Sequence, residues 1–175
     1  MLNKILAANK KFVAENKFKP LSHHPGKHVA ILTCMDTRLV DFLEPALGIG
    51  RGDVKMIKNA GNTVIDADGE IMKSLVAATC LLGCKEIMVI GHTDCGMAGT
   101  TDEKVRNAMI AAGIAAEDLE GIELKSWIGG FDREEQNVLD TVDKIRNCKF
   151  IPKSVPVHAL MLDLNTAALK HLKTL

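Results

Sequence analysis

The chain has 175 residues, the length of one domain, and 47% of them are hydrophobic, so it can bury a core without disulfide staples and is not a disordered chain. Lys and Arg together number 22, as do Asp and Glu, and this zero net charge argues against a nucleic-acid or acidic-lipid partner. No apolar run reaches the roughly 18 residues of a membrane span, and the first residues, MLNKILAANKKFVAENK, lack the unbroken apolar stretch of a signal peptide.

A cytoplasmic protein is therefore expected. In that setting five cysteines serve as ligands, nucleophiles or small hydrophobes and not as disulfides. Along residues 1–17, Leu2, Ile5, Leu6, Phe12 and Val13 recur near a helical spacing, which predicts an amphipathic helix. Pro20, Pro25 and Gly26 make 18–27 a connection. HVAILTC (28–34) is a β-branched run that fits a buried strand. DFLEPALGIGRGD (41–53) reads as a short helix ending in a glycine-rich turn, and VKMIKNAGN (54–62) as a second strand entering a turn. Asp68 opens a long apolar helical pattern, with Gly83 placed as its C-cap. EIMVIGHTDC (86–95) is a third strand running into polar residues. Residues 97–147 read as mainly helical, interrupted near Gly121 and Gly129–Gly130. VPVHALMLDL (155–164) is a fourth strand, and NTAALKHLKTL (165–175) predicts a closing helix. Strands alternating with helices imply crossovers. The expected fold is a single α/β domain with a mostly parallel central sheet flanked by helices.

Two strands end in polar clusters, T-C-M-D-T-R after the first and G-H-T-D-C-G after the third. Ligands of open α/β sheets bind at the carboxyl ends of strands, so both clusters belong to one candidate site. His92 and Cys95 are separated by two residues, and one tight turn can aim both at one point. Cys34 reaches the same point from the neighbouring strand end. Thiolate and imidazole suit Zn²⁺, and three protein ligands with a fourth position open is the catalytic arrangement. Asp36 and Arg38 lie immediately after Cys34. A carboxylate beside a metal wants to bind it, while a guanidinium competes for the same carboxylate in a bidentate pair. That competition decides whether the fourth position is free for water. A cysteine-phosphatase reading of Cys34 and Arg38 fails on spacing, because three intervening residues are too few to ring a phosphate with backbone N–H groups.

These residues resemble the β-class carbonic anhydrases. The family's C-x-[DS]-x-R and H-x-x-C-G stand here as Cys34-Met-Asp36-Thr-Arg38 and His92-Thr-Asp-Cys95-Gly96. The likeness extends to N-A-G-N at 59–62 and to VHALMLDLNTAAL in the last strand, without a large insertion. The resemblance implies one Zn²⁺ per chain on Cys34, His92 and Cys95, with an Asp36–Arg38 dyad that orients the nucleophile or gates the metal. It also implies CO2 and bicarbonate as ligands, and a homodimer or dimer of dimers with the N-terminal helix packed across a partner subunit. A metal-bound hydroxide would attack CO2, the ion lowering the pKa of water from ~15.7 towards ~7. The Gly96 N–H would hold a substrate oxygen, and Asn59 with Gly61 would form a pocket wall. The chain lacks Tyr, and its only Gln is Gln136, so the match is to a short, archaeal-like branch with an aliphatic pocket. That branch includes hydrolases of carbonyl sulfide and carbon disulfide, which stand as alternatives, as does a non-catalytic zinc- or bicarbonate-binding protein.

His23 and His24 have a suitable pKa and precede the first strand, which makes them candidate proton shuttles. His28 and His158 read as structural, and His171 as solvated on the closing helix. Cys80 and Cys84 sit among apolar neighbours and read as buried packing. Cys148 is isolated. Gly48, Gly50 and Gly52 follow a helix-like stretch and match a nucleotide loop weakly.

Overall fold

The computed structural model describes residues 1–172. Helix α1 (Leu2–Glu15) precedes strand β1 (Val29–Cys34), short helix α2 (Leu43–Ala46) and strand β2 (Val54–Asn59). Helix α3 (Glu70–Cys80) leads to β3 (Glu86–His92). Helices α4 (Asp102–Ala111), α5 (Leu124–Ile128) and α6 (Glu134–Asn147) follow, then β4 (Val157–Leu162) and β5 (Leu169–Leu172). The strands form one sheet in the order β2-β1-β3-β4-β5. The first four are parallel, and β5 runs antiparallel beside β4.

The two faces of the sheet are covered unequally. One carries Ala30, Leu32, Ile87, Val89, Val157 and Ala159, packed beneath Met72 and Leu75 of α3 and Val138, Val142 and Ile145 of α6. All of these are buried, and this face holds the core. The other face presents Val29, Val54, Met56, Met88 and Leu160, which are only half-buried around Ile31, Leu39, Leu43 and Ile90. Among the described residues its cover is short α2 and the loops. Parallel sheets bury both faces as a rule, so this one is short of a layer.

Helix α1 buries none of its residues. Leu2, Ile5, Leu6, Phe12 and Val13 are each more than half exposed.

The closing helix expected at 165–175 does not form within the described residues; 173–175 lie outside them. The Asp163 carboxylate accepts hydrogen bonds from the backbone N–H of Asn165 and Thr166 at 2.8 and 2.9 Å. Ala167 takes a left-handed conformation with φ 59°. Its N–H donates to the Asp163 carbonyl, and the Asp163 N–H to the Ala168 carbonyl. This side-chain-capped turn reverses the chain, and Leu169 pairs with Leu162. Sheet pairing overrides the helix propensity of Ala-Ala-Leu-Lys. His171 therefore lies on a strand, where it is exposed. The cysteine pair also divides: Cys84 is buried in the core, whereas Cys80 is exposed.

Candidate metal centre

Strands β1 and β3 are parallel neighbours, with Thr33 beside Ile90. Their carboxyl ends therefore deliver Cys34 and His92 to one edge. Beyond His92 the chain turns at Asp94, with φ 54°, and returns Cys95 to the same point. Ligand atoms of Cys34, His92 and Cys95 all lie within 4.8 Å of one another, and all three residues are buried. The two sulfurs are 3.9 Å apart. Two thiolates about 2.3 Å from one tetrahedral centre sit about 3.8 Å apart.

The tautomer of His92 is fixed by its second nitrogen. Nδ1 lies 2.9 Å from the Thr93 carbonyl, which can only accept, so Nδ1 carries the hydrogen. Nε2 is left with a lone pair, buried and without a hydrogen-bond partner. A buried orphan imidazole nitrogen beside two thiols is costly unless a cation takes it. The donor set fits Zn²⁺.

The three side chains do not ionise alike. Hydrogen bonding from Cys95 outweighs burial and, helped by the nearby His92 ring and the Gly61 and Asp36 amides, holds the Cys34 thiol well below the usual thiol range. The Cys95 thiol is pushed up, because Cys34 beside it takes the negative charge first and burial adds to the effect. Burial opposes a charged His92, but the nearby Cys34 sulfur, the Thr93 carbonyl and the Asp36 carboxylate outweigh it and raise its pKa.

Asp36 stands 3.9 Å from His92 Nε2 through its Oδ2. Arg38 grips it in a fork: Nε donates to Oδ1 at 3.0 Å and Nη2 to Oδ2 at 2.8 Å. The Arg38 backbone N–H adds a third bond to Oδ1 at 2.9 Å. These contacts hold the Asp36 carboxyl down to about 2. Cys34, Asp36, Arg38, Cys95 and Gly96 line an open cleft of about 360 Å³ with Met35, Thr37, Ala60 and Met97. A Cβ on Gly96 would meet no heavy atom within 4 Å, so its backbone is open to the cleft.

Of residues 59–61, Ala60 lines the cleft, and Asn59 and Gly61 do not. The Gly61 N–H donates to Cys34 Sγ at 3.4 Å, and the Asn59 amide donates to the Thr63 carbonyl at 2.7 Å. Gly61 is left-handed at φ 69°, and a Cβ there would sit 2.6 Å from the Phe131 ring. Sequence reasoning missed Asn137, whose buried amide donates to the Gly61 carbonyl at 2.7 Å and accepts from the Thr63 hydroxyl. It lies on α6, remote in sequence from both motifs, and nothing local marks it. His23 and His24 are not brought to the site. They precede β1, whose carboxyl end holds Cys34, and six strand residues span about 20 Å.

A family model described as carbonic anhydrase matches residues 29–169, a range that includes Cys34, Asp36, Arg38, His92 and Cys95. A β-carbonic anhydrase (isoform I) of Trichomonas vaginalis superposes with a TM-score of 0.93 at 34% identity, over 99% of this chain and 98% of that one. The chain belongs to the β-class carbonic anhydrases. The Bacillus subtilis protein YtiB is 40% identical over 97% of this chain and 94% of its own. A carbon disulfide hydrolase of Saccharolobus solfataricus is 31% identical over 80% of this chain and 74% of its own. The expected fold and family are thus borne out, and family members of more than one activity are similar to this β-carbonic anhydrase chain. Among the described residues, no helix is long and apolar enough to cross a membrane.

Proposed function

We propose that this protein catalyses the reversible hydration of CO2 to bicarbonate, with one zinc ion on Cys34, His92 and Cys95. The observation that carries this reading is the Asp36 carboxylate, clamped by Arg38 at the mouth of the buried triad. A zinc ion there would supply the Lewis acidity that brings the pKa of a water from ~15.7 towards ~7. Asp36 stays ionised at neutral pH and can only accept hydrogen bonds. It accepts a hydrogen from the attacking water and so turns a lone pair towards carbon. The open Gly96 N–H receives a substrate oxygen. Met35, Ala60 and Met97 give the cleft apolar walls suited to an uncharged linear triatomic substrate.

Hydrolysis of carbon disulfide or carbonyl sulfide is the second reading. It is favoured by the 31% identity to a carbon disulfide hydrolase and by the same apolar cleft. A homodimer, alone or as a pair of dimers, would cover α1 and the half-buried sheet face. A cytoplasmic setting suits five free cysteines.

Stopped-flow hydration of CO2, run beside carbon disulfide turnover on the same zinc-loaded sample, tests the proposal. CO2 activity that falls at least about 100-fold in Asp36→Ala supports it. Zinc-loaded protein inert towards CO2 at pH 8.5 and above would end it.

A further inference from the structure

Arg38 is held by more than Asp36. Its Nη1 donates to Asp94 Oδ2 at 2.6 Å, and its Nη2 donates to the Asp94 carbonyl at 2.7 Å. Asp94 lies in the turn between His92 and Cys95 with φ 54°. Asp and Asn tolerate that left-handed conformation better than other side chains do. Here the turn brings both acceptors of Asp94 to the guanidinium. The two carboxylates do not compete for hydrogens. Nε and one Nη2 hydrogen serve Asp36, while the other Nη2 hydrogen and Nη1 serve Asp94. The end of β1 is thereby tied to the turn after β3 through one side chain.

We propose that Asp94 is a positioning residue that fixes the Arg38 guanidinium in the orientation that clamps Asp36. Asp36 Oδ2 is 3.9 Å from His92 Nε2, so a small swing would carry the carboxylate towards a metal held by the triad. Arg38 opposes that swing, and Asp94 sets how firmly it can. The consequence for catalysis rests on the carbonic anhydrase reading; the anchoring of Arg38 does not. The Asp94 side chain is 83% exposed, so its ion pair with Arg38 is screened and its effect is modest.

Two variants of the full, zinc-loaded chain test this. Asp94→Gly keeps the left-handed turn and the backbone carbonyl but removes the carboxylate. Asp94→Asn keeps an oxygen acceptor without the charge. Hydrogen exchange at Arg38 Nε–H, read by nitrogen-15 NMR, should accelerate about fivefold in Asp94→Gly, the size expected for a solvent-screened pair. It should return at least halfway to the native rate in Asp94→Asn. Crystal structures of both variants at one pH should show Asp36 displaced from Arg38 in the glycine variant and in place in the asparagine variant. Unchanged exchange together with an unmoved Asp36 in Asp94→Gly would overturn the proposal. CO2 hydration by the native protein is measured alongside. An inert native protein would sink the carbonic anhydrase reading, and the Arg38 exchange rates would still decide the role of Asp94.

Discussion

At the scale of single residues, the triad and the dyad differ in how they were legible. Cys34, His92 and Cys95 form a pattern of soft donors at two strand ends, so the sequence alone points to them. The anchors of the dyad do not share that signature. Asp94 is an ordinary acidic residue until its turn is seen, and Asn137 is a lone amide on a distant helix. Gly96 offers a clean test, because packing does not require it. Gly96→Ala should leave stability within about 0.5 kcal/mol of native. It should lower kcat/KM about tenfold if the N–H meets substrate; equal loss of melting temperature and activity would contradict this. Proton bookkeeping at the triad gives a second expectation. Side chains that take a metal must be deprotonated, and of the two thiols Cys34 ionises first, held below the usual thiol range by Cys95 beside it. Cys95 keeps its proton well above the usual thiol range, and the His92 pKa is also raised. Zinc binding at pH 7 should therefore expel about one to two protons, and affinity should rise with pH and fall in acid. Calorimetry in buffers of different ionisation enthalpy measures that number. A value of zero would mean that both thiols already bind as thiolates.

Elements were read correctly where one signal dominated. The β-branched runs of β1 and β3 had no competing pattern, and they are the strands that place Cys34 and His92. The chain terminus failed because two signals conflicted. Local propensity favoured a helix at NTAALKHLKTL, while Asp163 at the start of the turn favoured reversal, and pairing with β4 decided between them. The same residue gives a prediction. Hydrogen bonds from the Thr166 and Asn165 amides lower the Asp163 pKa, so the turn is held above the ordinary carboxylate range and loosens as acid protonates Asp163. Asp163→Ala should speed amide exchange across 164–172 while exchange in β1 and β3 stays native. If the hairpin amides kept their protection, the carboxylate would not be what reverses the chain.

The whole molecule carries an imbalance that its own chain does not resolve. One sheet face is sealed by α3 and α6, while the other leaves Val54, Met56, Met88 and Leu160 half-buried. Helix α1 likewise presents a bare apolar stripe. Its hydrophobic spacing was legible in the sequence, whereas a surface to cover it leaves no local signature along one chain. Leu6 and Val13 lie seven residues apart on that stripe, at 57% and 59% exposure. Within one chain, replacing them with Asp should cost the fold little, since neither is buried. Between two chains the outcome differs. Each such side chain, fully buried at an interface, contributes about 1.5–3 kcal/mol. Losing both should weaken a dimer at least about 100-fold. Sedimentation across a concentration series should then show the Leu6→Asp, Val13→Asp protein as a monomer with native circular dichroism. The native chain should remain a dimer or larger at the same concentrations. If both sedimented alike, α1 would not be the element that joins two copies, and the half-buried sheet face would have to find its cover elsewhere.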